Sequence, residues 1–216
     1  MTASISDRSS PDSTKVGAWL FRHRTTLPLP VALAILLIPS SETSRSTAEI
    51  LFGVGLTAAG ELIRLWSVRH IGVVSRTRSE RLGPLIDTGP FAYVRNPLYI
   101  GNVLLWVGFA VTAGLLWLAP IVVVVLGIEY HWIVRWEEAL LTARLGERYR
   151  SYLGRVPRWI PRQGGRAADS CGQASGADAD RPGGWPGTAA EILFSERGTL
   201  IAIGAGYLLL WTKARF

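Results

Sequence analysis

Long apolar blocks are the feature that most constrains how this chain can fold. They are too long and too continuous for the short alternating runs of a soluble core. A helix bonds every backbone group within its own segment, as lipid requires, whereas barrel strands need an alternating pattern that these blocks lack. The sequence therefore predicts an all-α fold, a polytopic membrane helical bundle of about five transmembrane helices. The blocks are Leu27–Pro39, Ala48–His70, Leu98–Ala119, Pro120–Trp136 and Thr199–Trp211.

Changes in composition divide the chain into five predicted segments. The first and last apolar blocks are short for full spans, so whether either crosses the membrane stays open. A cleaved signal peptide is the alternative for the first block, but the polar lead before it is long for one. The segments are a polar N-terminal stretch (1–26), a first membrane helix and loop (27–47), a core (48–162), a flexible linker (163–188) and a membrane or interfacial helix (189–216).

Arginine-rich segments flank the apolar blocks and predict an orientation. The chain has a formal net charge of +7, and its arginines cluster around residues 69–95 and 135–162, whereas the turn 118–120 carries no charge. Because cytoplasmic loops are enriched in Lys and Arg, both clusters are predicted to face the cytoplasm in a multi-pass integral membrane protein. Arginines beside apolar blocks favour anionic membrane lipids as partners, so nucleic-acid binding is not expected.

Cysteine and histidine usage gives no sign of a metal centre. Cys171 is the single cysteine, which excludes an internal disulfide and a multi-cysteine metal site. His23, His70 and His131 lie far apart in sequence and lack the close spacing typical of metal ligands. We therefore expect no metal cofactor.

The two apolar blocks that meet at Leu118-Ala119-Pro120 are predicted to form an antiparallel hairpin, whose second helix runs on to about Leu145 and stops at Gly146. With about 20 residues in each arm and a rise of about 1.5 Å per residue, the feet of both arms reach one membrane level. The run Asn96-Pro97-Leu98-Tyr99 stands at one foot and Glu137-Glu138 at the other. The arginine-rich clusters meet them there, so a cofactor site is predicted on the cytoplasmic side.

The residue types at these feet suit a zwitterionic amino acid joined to a nucleoside. Pro97 at a helix start leaves free N–H groups above it, and the helix dipole favours an anion such as a carboxylate there. Arg95 would add positive charge. Glu137 and Glu138 could take the ammonium group or the ribose hydroxyls of the same ligand.

Two charged groups also have interpretations that involve no ligand. The acidic pair could instead bond to Arg135 and Arg144 on a solvated helix end. Glu61 and Arg64 lie three residues apart on one face of the second block. We interpret them as an intrahelical pair that faces the bundle interior, because a charge facing lipid is costly, and the alternative is a transport site.

A longer pattern links these motifs. It runs Gly89-Pro90-Phe91-Ala92-Tyr93-Val94-Arg95-Asn96-Pro97-Leu98-Tyr99-Ile100-Gly101, a hydrophobic hairpin, Glu137-Glu138 and Val156-Pro157-Arg158. Over roughly residues 48–162 the chain resembles the isoprenylcysteine carboxyl methyltransferase and phospholipid methyltransferase superfamily, whose pattern is Arg-His-Pro-x-Tyr, a hydrophobic stretch and Glu-Glu. The resemblance implies an integral membrane enzyme that transfers a methyl group from S-adenosylmethionine (SAM) to a lipid or prenylated acceptor.

The resemblance also implies which residues hold the cofactor and the substrate. Asn96 replaces the family's usual His; it cannot act as an acid or base but can hydrogen-bond, and phospholipid N-methyltransferases are similar in having Asn-Pro-x-Tyr here. Arg135 lies near the position of a substrate-contacting Arg, and we count it with Glu137 and Tyr99 as candidate catalytic residues. The candidate cofactor-binding residues are Leu85 and Ile86 beside the adenosine, then Phe91, Arg95, Asn96, Pro97, Leu98, Tyr99 and Glu138.

The acceptor decides what such a site must do. Transfer from a sulfonium to a carboxylate annihilates charge, so alignment in a dry site suffices and no base is needed. A phospholipid amine must first lose a proton, and Glu137 or Tyr99 would help. Isoprenylcysteine-type O-methylation and phosphatidylethanolamine-type N-methylation both stay open. The alternatives from other classes are a non-catalytic membrane scaffold and a transporter.

Overall fold

The computed structural model describes residues 11–39, 46–71, 85–161 and 188–215. Within these ranges every regular element is a helix and no strand occurs, which confirms the all-α prediction. The elements are α1 (Pro11–His23), α2 (Leu29–Leu37), α3 (Thr47–Ile71), a 3-10 turn (Gly89–Ala92), α4 (Pro97–Thr112), α5 (Leu118–Leu145), α6 (Glu147–Arg155) and α7 (Ala189–Lys213).

Among the described helices, α5 and α7 are both long and apolar enough to cross a membrane. The apolar helix α4 has 16 residues, and α3 has 25 residues but carries the charged pair Glu61 and Arg64. Large apolar side chains cover the outer faces of α5 and α7, as expected of helices that contact lipid. Examples are Val124, Ile128, Ile201 and Leu208, all exposed. The predicted total of about five spans stays a prediction.

Small residues bring α3 and α4 into close contact, and this pair packs more extensively than any other described pair of elements. A Cβ atom at Gly60 would lie 2.6 Å from the carbonyl oxygen of Gly101, and one at Gly108 would lie 2.6 Å from that of Gly53. Such close backbone approach is the usual effect of small residues at helix interfaces in membranes. It fixes the position of α4 and therefore of the first turn of that helix.

The predicted hairpin of α4 and α5 is confirmed, with a shorter first arm than expected. The helix α4 ends at Thr112 rather than near Ala119, because residues 113–117 form a turn in which Gly114 has a φ of +75°. The second arm, α5, runs for 28 residues and ends where Gly146 takes a φ of +55°. Glycine adopts this region without strain, so the predicted stop at Gly146 is also confirmed.

The first apolar block forms only the nine-residue helix α2, separated by the turn 24–28 from α1. The segment 1–26, predicted to be a polar N-terminal stretch, contains α1, and residues 1–10 lie outside the described part. One face of α1 packs on α5, where Phe21 contacts the Trp136 ring with centroids 4.8 Å apart. The side chains of α1 therefore cover the C-terminal half of α5, and the segment boundaries themselves stay predictions.

Polar contacts hold α7 against the rest of the chain, since most of its side chains are exposed. Its first turn is capped reciprocally by Thr188 and Glu191. Most of the predicted linker that precedes it, up to residue 187, lies outside the described residues. The polar contacts of α7 are Arg64 Nη2 to Glu196 Oε2 at 2.5 Å, Tyr207 Oη to Thr57 Oγ1 at 2.7 Å, and Lys213 Nζ to the carbonyl oxygens of Ile35 at 2.7 Å and Ile38 at 2.6 Å.

The close approach of α3 and α4 predicts that Gly60→Ala is destabilising. The added methyl group would meet the α4 backbone, and forcing such a contact costs about 1–3 kcal/mol. A lower thermal unfolding midpoint in detergent is the expected result. Gly55→Ala on the same helix is the control, because a Cβ atom there has no neighbour within 4 Å. Equal midpoints for the two variants would contradict the packing described here.

Candidate functional site

The site is built around the first turn of α4. Pro97 is the first residue of the helix, where its fixed φ is favourable and its missing N–H would be unpaired anyway. Asn96 precedes it but makes no side-chain capping bond. Instead its Nδ2 donates to the carbonyl oxygen of Arg158 at 3.1 Å. The positive end of α4 is therefore left without the usual side-chain cap.

Glu138 is the centre of an ion-pair group that joins three elements. Arg95 Nη1, from the turn before α4, donates to Glu138 Oε1 at 2.8 Å. Arg158 binds the same carboxylate with two nitrogens, Nη2 to Oε2 at 2.5 Å and Nε to Oε1 at 3.1 Å. The Glu138 side chain is only 13% exposed. Charge-assisted bonds in such an enclosed place are strong, so this group locks the foot of α5 to the start of α4.

Glu137 has a different environment from its neighbour. Tyr99 Oη donates to Glu137 Oε1 at 3.0 Å, and the Tyr99 ring stacks on Tyr130 with centroids 4.6 Å apart. No described residue forms an ion pair with Glu137. Arg24, in the turn between α1 and α2, interacts electrostatically with both Glu137 and Tyr99. Glu137 thus faces a phenol, whereas the adjacent Glu138 faces two guanidinium groups.

Residues 156–161, here called the C-terminal strap, lie over the start of α4. The carbonyl oxygen of Pro157 accepts a hydrogen bond from the Arg95 backbone N–H at 2.9 Å. Before the strap, Tyr152 Oη donates to the carbonyl oxygen of Phe91 at 2.8 Å, which ties α6 to the 3-10 turn. Burial raises the pKa of the Tyr149 and Tyr152 phenols, so both stay protonated and Tyr152 remains a donor.

The remaining candidate residues fall on either side of this group. Leu85 packs on the buried Tyr149 and Tyr152 rings, Phe91 is buried, and Ile86 and Leu98 are partly buried. Arg135 is exposed, and its guanidinium lies 5.7 Å from the centre of the Trp132 ring. The structure therefore brings Arg95, Asn96, Pro97, Tyr99, Glu137 and Glu138 together and leaves Arg135 outside. A role for Arg135 stays a prediction.

The solvated pairing considered from the sequence does not occur. Both carboxylates bond to other elements rather than to Arg135 and Arg144, which are exposed on α5. Two residues of the group were missed as candidates. Arg158 was visible only as the end of a Val-Pro-Arg motif with no assigned role. Arg24 had no signal at all, since it is far from the site in sequence.

A second charged group lies deeper in the helix bundle. Arg64 Nε lies 3.3 Å from Glu61 Oε2, which confirms the predicted intrahelical pair. The same guanidinium also bonds Asn102 on α4 and Thr199 on α7, in addition to Glu196. This group therefore ties α3, α4 and α7 together. In the described part of the chain, no group of three or more His, Cys, Asp or Glu side chains could hold a metal ion.

Comparison with protein families assigns the segment that contains these helices. The sequence model of the phospholipid methyltransferase family matches residues 48–148. Over this segment, residues 48–148 of 216, the chain is similar to the phospholipid methyltransferase family. The family is part of the superfamily that also contains the isoprenylcysteine carboxyl methyltransferases. The phospholipid methyltransferase segment includes α3, α4, α5 and both carboxylates, whereas the strap and α7 lie beyond it.

Two curated relatives are similar over the same share of the chain. The nickel-cobalt-cadmium resistance protein NccN of Alcaligenes xylosoxydans xylosoxydans is 30% identical over 112 residues, which are 52% of this chain and 48% of the relative. The cobalt-zinc-cadmium resistance protein CzcN of Cupriavidus metallidurans is 26% identical over 112 residues, 52% of this chain and 47% of the relative. The chain therefore spans about half the length of these relatives. No solved structure gives a significant match.

The contact between α6 and the 3-10 turn predicts the effect of Tyr152→Phe. The change removes the donor to the buried Phe91 carbonyl, which should lower the free energy of unfolding by about 1–2 kcal/mol. The thermal unfolding midpoint in detergent measures this. Tyr93→Phe is the matched control, because Tyr93 is exposed. If both variants unfold like the wild type, Tyr152 does not anchor α6 to the 3-10 turn.

Proposed function

We propose that this protein is a multi-pass integral membrane methyltransferase that transfers the methyl group of SAM to a lipid-like acceptor. The observation that carries the proposal is the enclosed group of Arg95, Glu138 and Arg158 at the uncapped start of α4. Arg95 and Glu138 lie within the phospholipid methyltransferase segment, at the open end of the hairpin that α4 and α5 form. In this orientation the arginine-rich feet of the helices face the cytoplasm, from which SAM would enter.

The residues at the site fit the two ends of SAM. Its amino acid part is a zwitterion, for which Glu138 offers an anion and the arginines offer cations. Arg95 Nε is buried without a hydrogen-bond partner among the described residues, so this side chain has unused donor capacity. The apolar side chains of Phe91 and Leu85 would take the adenosine, Phe91 from a buried and Leu85 from a partly buried position.

When bound, SAM supplies an electrophilic methyl group on a sulfonium, and the sulfur keeps the electron pair of the broken S–C bond. The chain's own residues bind and orient. Arg95 and Glu138, which form an ion pair in the free protein, would hold the amino acid end of SAM, and the packed turn before α4 would hold the nucleoside end. The strap covers one side of the group, since the carbonyl oxygens of Pro157 and Arg158 accept hydrogen bonds from Arg95 and Asn96. Holding two reactants in line is the main contribution that such a site makes to the rate.

The acceptor is first proposed to be a carboxylate of an isoprenylcysteine-like lipid. A carboxylate attacks the methyl carbon directly and needs no base, so the loss of the family's usual His at Asn96 costs no chemistry. Arg24 is the cation that we propose to attract such a carboxylate, because it interacts electrostatically with Tyr99 and Glu137. A dry site favours the reaction because two opposite charges disappear in it.

The second candidate acceptor is a phospholipid amine of the phosphatidylethanolamine type. The Tyr99–Glu137 pair favours it, because a carboxylate with no ion pair among the described residues suits an ammonium headgroup. Glu137 would take the proton that the amine loses before it attacks the methyl carbon. The two acceptors therefore place opposite demands on Glu137, and this difference can be tested.

Calorimetry of SAM with the purified protein in lipid–detergent micelles tests the cofactor. We expect saturable binding, and a loss of roughly 30-fold or more in affinity for Glu138→Gln, because truncating one member of an enclosed charge pair is costly. Glu147→Gln is the control, since the Glu147 side chain is 84% exposed. If folded wild-type protein binds no SAM, the methyltransferase proposal is wrong and a scaffold or transporter takes its place.

Alkaline lability of the labelled product tests the acceptor. With methyl-labelled SAM and membrane lipids, a carboxylate acceptor gives a methyl ester that releases volatile methanol in base, and this is the expected result. Glu137→Gln should then keep most of the activity, as should the Glu147→Gln control. An alkali-stable label, together with loss of activity in Glu137→Gln, would instead establish the amine acceptor.

A further inference from the structure

Arg158 occupies the carboxylate on which the proposed ligand would depend. Its Nη2 and Nε take both oxygens of Glu138, and Arg95 shares one of them. An ammonium group that approaches Glu138 would meet oxygens that are already bonded. Three of the roughly four acceptor positions of the carboxylate are thus taken, so full binding of an ammonium group at Glu138 is favoured when one of the two guanidinium groups moves away.

The enclosure of the two arginines indicates which one moves. The Arg158 side chain is 29% exposed, whereas Arg95 is 14% and Glu138 13% exposed. Arg158 thus lies on the outer side of the group, between Glu138 and the solvent. A ligand from the aqueous side would reach Arg158 first and could displace it without disturbing Arg95.

The backbone of Arg158 is anchored even though its side chain is on the outside. Its carbonyl oxygen accepts from Asn96 Nδ2 at 3.1 Å, and the preceding carbonyl of Pro157 accepts from the Arg95 N–H at 2.9 Å. The guanidinium can therefore swing about the side-chain bonds while the strap stays in place. It would remain within a side-chain length of Glu138 after it turns.

Charge also constrains where the guanidinium goes. Two arginines share one carboxylate here, so the group carries an excess positive charge that a second anion could balance. A guanidinium carries five donors in a planar fork that matches a carboxylate, and moving it into a partly enclosed place without an acceptor would be costly. A ligand carboxylate provides that acceptor at the moment when the ligand ammonium takes over Glu138.

We propose that Arg158 is a cofactor-binding residue that exchanges partners, holding Glu138 in the free protein and the carboxylate of the amino acid part of SAM in the complex. The inference rests on the proposed function, since it concerns the same site. It adds the strap, which lies beyond the phospholipid methyltransferase segment, to the binding machinery. One bidentate ion pair in the free protein becomes two ion pairs with the zwitterion.

Two ligands that differ in one carboxylate separate this role from a structural one. SAM has the carboxylate, and decarboxylated SAM keeps the amine and the nucleoside but lacks it. By calorimetry, Arg158→Gln should weaken SAM binding by about 10- to 100-fold, the range for a hydrogen bond to a charged group. The same change should not weaken the binding of decarboxylated SAM, because in the wild type this ligand has to move Arg158 away from Glu138 without giving the guanidinium a new acceptor.

Matched variants keep the outcome clear. Arg158→Lys should recover part of the SAM affinity, because it keeps the charge but not the planar fork. Arg155→Gln is the control, since Arg155 is exposed three residues earlier. Equal weakening of both ligands in Arg158→Gln, or unchanged SAM binding in it, would overturn the partner exchange. Wild-type protein that binds neither ligand would instead overturn the proposed function, and the exchange with it.

Discussion

An enclosed carboxylate must keep its charge balanced, and the arrangement around Glu138 follows from that requirement. Its two guanidinium partners come from the turn before α4 and from the strap after α6, so one side chain of α5 fixes both. Removing both partners would leave the Glu138 charge unpaired in a place of low polarity, which is costly. The end of the hairpin that carries Glu138 is therefore ordered by electrostatics, while its middle is ordered by the glycine packing of α3 on α4.

Local signals allowed much of this region to be predicted from the sequence. Asn96-Pro97 was expected to start a helix and Gly146 to end one, because proline and glycine act through the backbone of their own residues. The acidic pair was placed opposite Asn96-Pro97 by counting residues along two arms. The placement stayed correct although the first arm is shorter than expected, because it depends on where the open ends of the two helices lie and not on the length of the turn between them.

The partners of the charges could not be predicted in the same way. Arg158 is 20 residues from Glu138, and the direction in which α6 turns the chain depends on the buried Tyr152 contact with Phe91. Arg24 and Glu196 are still farther from the side chains they influence. No local rule links such residues, so composition predicted that arginines would lie near the site but not which of them would bond to it. Arg135 is close to Glu137 and Glu138 in sequence, which suggested an ion pair with them. Its side chain lies over the Trp132 ring instead.

The charged group around Arg64 has a consequence for how the protein is assembled. Arg64 and Glu196 are 132 residues apart, so α3 is synthesised well before α7. During that interval Arg64 already has a carboxylate on its own helix, because Glu61 lies 3.3 Å away, one turn earlier. The arriving α7 then adds a second carboxylate to a guanidinium that was never left alone. Glu61 thus serves as a companion charge during biosynthesis, and the last helix joins a core whose charges are already balanced.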